Sequence, residues 1–141
     1  MNGLKIYTDG RMEVHDIKES EFEYKFEALQ KAIDCDCIDI VHASNLPSPY
    51  CMVVDDESLL KEKPIINLVA SYLYGADEHG QPICGDVIIM KDEFTDEGIE
   101  TAGLDDMEVE RLKSYLESAD VSGKVVITFL KLKEIIEGNE S

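Results

Sequence analysis

Basic residues are scarce in this chain: 13 lysines and arginines stand against 31 aspartates and glutamates, a net charge of -18 over 141 residues. A surface that acidic repels nucleic acid and anionic membranes, so neither is an expected direct partner, and a basic protein is. No apolar run approaches the roughly 20 residues that span a bilayer. Nor does Met1-Asn2-Gly3-Leu4-Lys5 contain a basic segment leading into an apolar one, so the expectation is a soluble, cytoplasmic protein. Cysteine is too sparse for a disulfide scaffold, and Cys35 and Cys37 are too close for an easy mutual bridge, so free thiols are expected. No CxxC pair or paired-histidine spacing joins these residues to His42, Cys51, His79 or Cys84, and zinc is not expected. P-loop, GxGxxG and EF-hand patterns are all missing, which removes support for nucleotide chemistry and for any cofactor. An internal repeat and a linker are missing too, which leaves one domain.

What is present is a hydrophobic share of 44%, enough for a packed core despite the charge. The stretch from Tyr50 to Met90 organises the rest. Cys51 to Val54 and Val87 to Met90 are short apolar runs with the character of buried strands. Between them Pro64 stands at an expected first helical position and Gly75 at an expected left-handed stop, with Asn67 inside the helix. Upstream, Asp9-Gly10 separates two semi-alternating runs as a hairpin turn does. Ser20 and Glu23 have capping-box spacing, and Phe22, Phe26, Leu29 and Ile33 form a helical stripe expected to face the core. Cys37 to Ala43 reads as a strand ending at the prolines Pro47 and Pro49. Downstream, Val109, Leu112, Tyr115, Leu116 and Ala119 mark an amphipathic helix, acidic at its start and stopped at Gly123. Val125 to Leu130 reads as a last strand, with continuation through Leu132, Ile135 and Ile136 as a short helix left open.

The fold class expected is α+β, a single domain over 1–141 whose mainly antiparallel or mixed sheet is covered by about three helices. Within it, 1–90 forms the core, 91–137 an acidic loop, helix and final strand, and 138–141 a tail.

The approach from Leu59 through Pro64 and Asn67, the loop with Gly80 and Pro82, and Ile83-Cys84-Gly85 leading into an apolar strand resemble the phage and mobile-element family catalogued as domain of unknown function 3846. Phe26 to Ile33 is similar to that family's first helix, leading to a strand with Ile38-Asp39-Ile40-Val41. The resemblance spans Leu4 to Met90. It departs at Leu68, where the family often has a basic residue, and at Asp34 to Asp36, where it often has glycines. It implies context and no reaction: a gene carried by a phage, plasmid or integrated element.

Two candidate sites follow. The stretch 92–110 holds nine acidic residues and no basic one. Asp92, Glu93, Asp96, Glu97, Glu100, Asp105 and Asp106 are the partner-binding candidates, an acidic surface imitating nucleic-acid phosphates toward a basic nucleic-acid-binding protein. As a continuous helix it would carry about one charge per 3 Å, near the about 3.4 Å of a DNA strand, although Gly98 and Gly103 oppose such a helix. The ordinary reading of such a run is a solvated face. The alternative is a small ligand- or metal-binding or catalytic pocket at Asn67, His79 and Cys84, with structural roles as the plainer account of each. No catalytic or metal-ligating residue is assigned, and the balance is toward a non-enzymatic protein.

Overall fold

The computed structural model describes residues 1–19, 24–79 and 81–138, with the side chains of 79 and 136–138 outside the description. The expected capping box at Ser20 and Glu23, and Phe22, lie outside the described residues. Six strands form one antiparallel sheet: β1 (Asn2–Ile6), β2 (Met12–Asp16), β3 (Ile38–Val41), β4 (Tyr50–Asp55), β5 (Val87–Thr95) and β6 (Gly98–Ala102). Their order is β2-β1-β5-β4-β3, with β6 beside the outer half of β5. The turn at Gly10, whose φ is 94°, closes the β1–β2 hairpin that Asp9-Gly10 signals.

Central strands β4 and β5 carry apolar residues on both faces because both faces are covered. On one side α1 (Lys25–Ala32) packs Ala28, Leu29, Ala32 and the following Ile33 against Cys51, Val53, Ile88 and Met90. On the other, α2 (Leu68–Tyr74) and α4 (Asp106–Leu116) contribute Leu73, Val109 and Leu112 to a cluster with Leu4, Met52 and Ile89. Val121 from α5 (Ala119–Gly138) joins it, and α3 (Ala76–His79) bridges from α2 toward α5. Gly3 permits the close approach of β1 to β5: a Cβ there would lie 2.4 Å from Ile88 Cγ2.

The α+β class and single-domain sheet therefore stand, with five α-helices among the described residues rather than about three. Three local expectations are corrected. Val125 to Leu130 is the middle of α5, not a strand, and Gly123 lies inside that helix. Val121, Thr128 and Leu132 turn inward at helical spacing, while Val126, Ile127 and Leu130 are exposed. Apolar residues on both sides hide the period. Secondly, α2 begins at Leu68, not Pro64, because Asn67 caps it: its Oδ1 accepts a hydrogen bond from Ala70 N at 3.1 Å. Its end at Gly75, φ 77°, is the expected left-handed stop. Thirdly, Phe26 lies off the buried stripe and is 57% exposed.

Candidate functional site

The acidic stretch is neither a loop nor one helix. β5 continues past the core to Thr95, turns at Asp96-Glu97 and returns as β6, so the expected loop at the start of 91–137 is a hairpin. The signals were local: Glu93-Phe94-Thr95 and Ile99-Glu100-Thr101 alternate on either side of Gly98, whose φ is 119°. Thr95 Oγ1 accepts from Glu97 N at 3.2 Å and donates to Gly98 O at 3.1 Å, which tightens the turn.

Alternation along the hairpin separates two chemistries. Phe94 faces Ile99 on the α1 side, 83% and 63% exposed. Glu93 faces Glu100 on the opposite side, and like charges directly across a strand pair are destabilising. Lys91, on that same side, reaches Glu108 at 2.9 Å, which raises the lysine pKa from its ordinary value through the hydrogen bond.

The seven acidic candidates divide accordingly. Asp92 is tied down, its Oδ2 2.6 Å from His42 Nε2. Asp105 is the N-cap of α4, accepting from Glu108 N at 2.8 Å while its own N–H donates to Glu108 Oε1 at 3.1 Å. Glu93, Asp96, Glu97, Glu100 and Asp106 are exposed and have no ion-pair partner among the described residues. The helical charge spacing does not apply to the stretch as a whole, because half of it is strand.

At the other candidate, Asn67 and Cys84 sit on adjoining segments: Asn67 N donates to Ile83 O at 2.8 Å, and Ile66 bridges to Cys84. Asn67 is 1% exposed, and its Nδ2 donates to Ile6 O and to Gly85 O, both at 3.0 Å. With Oδ1 on Ala70, the side chain fastens β1, the start of β5 and α2 together. His79 ends α3, and its side chain lies outside the described residues. Burial raises the Cys84 thiol above its ordinary pKa, which disfavours the thiolate that a nucleophile or metal ligand needs.

The thiols of Cys51 and Cys35 are also raised by burial. All four cysteines are free. Burial pushes Cys51 up to about 12, reinforced by Asp92, and Cys35 up to about 11, reinforced by Asp55. A polar cleft of about 500 Å³ lies beside Cys35 and Asp55, but the buried Asp55 is already occupied, by Lys61 Nζ at 2.9 Å and Glu57 N at 2.9 Å. Among the described residues no helix is long and apolar enough to cross a membrane.

The family described as Domain of unknown function (DUF3846) matches residues 1–117 of the chain, which therefore belongs to that family. The match extends through β5, β6 and α4, beyond Met90 where the resemblance stopped, so the acidic hairpin falls within the matched region. No curated protein and no solved structure matches.

Proposed function

We propose that this member of the family is a non-enzymatic accessory protein of a phage or mobile element that acts by protein binding. Its acidic hairpin and the start of α4 stand in for nucleic acid in the basic groove of a nucleic-acid-binding protein. The observation that carries this reading is the Glu93–Glu100 pair, two exposed carboxylates held opposite each other on a projecting hairpin, with Lys91 attracting Glu93 from the same face but engaged in its own ion pair with Glu108. Such a pairing costs stability in the free protein, and a cationic groove would remove the cost. Exposed Phe94 and Ile99 on the other side supply apolar anchors beside the charge.

The test is affinity capture from host lysate with the parent and with a variant in which Asp96, Glu97, Glu100, Asp105 and Asp106 become Asn or Gln. The expected result is a nucleic-acid-binding protein retained by the parent, absent from the variant, displaced by duplex DNA and weakened steeply by salt. Equal retention by both proteins, or retention indifferent to DNA, rejects the reading.

A further inference from the structure

We propose that the outer edge of β3 receives an extended segment of a partner protein in which apolar side chains alternate with lysine or arginine. The inference does not rest on the hairpin's acting as a nucleic-acid mimic.

Hydrogen-bond parity identifies the free groups. β3 pairs with β4 in the register Ile38 opposite Asp55, and Asp56 N donates to Cys37 O at 3.0 Å. Main-chain groups alternate in direction along an antiparallel strand, so those of Asp39 and Val41 turn toward β4 while those of Ile38 and Ile40 turn outward. No other strand among the described residues pairs with that edge. An extended chain can add there, with its backbone bonded to Ile38 and Ile40.

A groove lies alongside. The side chains of Ile38 and Ile40 point to the α1 face, where α1 leaves two adjoining cavities of about 550 and about 500 Å³ that share Phe26 and Ile40. Gln30 and Ile38 line the first, and Tyr24 and Ile99 the second. Phe26 and Tyr24 are 57% and 61% exposed, an unusual state for aromatic rings beside a core. Alternate residues of a strand stand roughly 6.6 Å apart, so a pairing segment would drop every second side chain into this trough.

Charge selects the occupant. Asp36 and Asp56 border the first cavity, and Asp39 alternates to the opposite face of β3, where the basic side chains of an added strand would lie; none has an ion-pair partner among the described residues. Asp92, already paired with His42, and Glu100, whose side chain stands on the opposite face of the sheet, border the second. The cation there, Lys25, donates to Thr101 O at 2.7 Å. A second copy of β3 would bring Asp36 and Asp39 against their own kind, which disfavours self-pairing and favours a basic strand.

The probe is the fluorescein-labelled heptapeptide KVKVKVK, compared with its scramble KKVVVKK and with two forms N-methylated on alternate residues, one on the lysines and one on the valines. Edge pairing uses the N–H groups of only one alternate set. The expected result is that one methylated form loses at least ten-fold in affinity while the other stays within two-fold. The scramble binds at least ten-fold more weakly, and amide exchange slows at Ile38 and Ile40. The I40P variant removes one outward N–H without breaking the ladder to β4, and is expected to weaken the parent peptide ten-fold. Should that variant fail to fold, the methylated pair still decides. Equal binding by both methylated forms, equal binding by the scramble, or no binding up to millimolar concentration overturns the proposal. Substituting Asp96→Asn and Glu97→Gln leaves peptide binding unchanged, which separates this result from failure of the hairpin reading.

Discussion

The two halves of β5 belong to one continuous strand and obey opposite rules. Val87 to Met90 is buried on both faces between α1 and the α2, α4 and α5 layer. From Asp92 to Thr95 the same strand pairs with β6 and projects Phe94 into solvent. Burial converts side chains into stability at about 25 cal/mol per Å² of apolar surface removed from water, whereas an exposed phenylalanine returns almost nothing. The inner half therefore carries the fold, and the outer half is free to serve a partner.

That contrast can be tested from its strongest side. Replacing Ile89 by Ala, at 0% exposure, is expected to cost about 2–5 kcal/mol through lost transfer energy and a cavity, whereas Phe94→Ala stays within about 0.5 kcal/mol. Urea midpoints with unchanged slopes measure both, and equal losses would mean that the hairpin is part of the core after all. Asn67→Ala comes next. It removes the α2 cap and strips donors from the carbonyls of Ile6 and Gly85, for a combined loss of about 2–3 kcal/mol, while Asn67→Asp keeps the cap acceptor but not the two donations. A loss under about 0.5 kcal/mol in the same urea titration would show that the three-way tie is slack. Smallest is Glu93→Gln, which removes the repulsion from Glu100 and should raise stability by a few tenths of a kcal/mol, more at low salt than at high. Destabilisation instead would mean that the attraction of Lys91, two residues along the same face, outweighs that repulsion.

Much of the architecture was legible because its signals are local. Val87 to Met90 and Cys51 to Val54 announce strands by unbroken apolar runs, Gly75 ends α2, and Asp9-Gly10 turns the first hairpin. The acidic candidates were found by composition alone, but composition could not sort them. Glu97 and Asp105 look alike in sequence, yet one sits in a hairpin turn in solvent, its N–H held by Thr95 Oγ1, and the other caps α4.

Asn67 shows why the remainder was hidden. Read along the chain it is a mildly unfavourable helical residue, and only the arrival of Ile6 and Gly85, 61 and 18 positions away, supplies its partners. The groove at β3 depends in the same way on β6, far along the chain, meeting α1 and β3, which are neighbours in sequence. What the sequence by itself determined is which segments seek burial, where short turns fall and how acidic the surface is, since these follow from each residue's own transfer energy, dihedral preference and charge. Tertiary structure alone decided which carboxylates lack partners, which edge stays open and which asparagine holds three elements together, because those properties belong to pairs of groups that only the folded chain brings within hydrogen-bond distance.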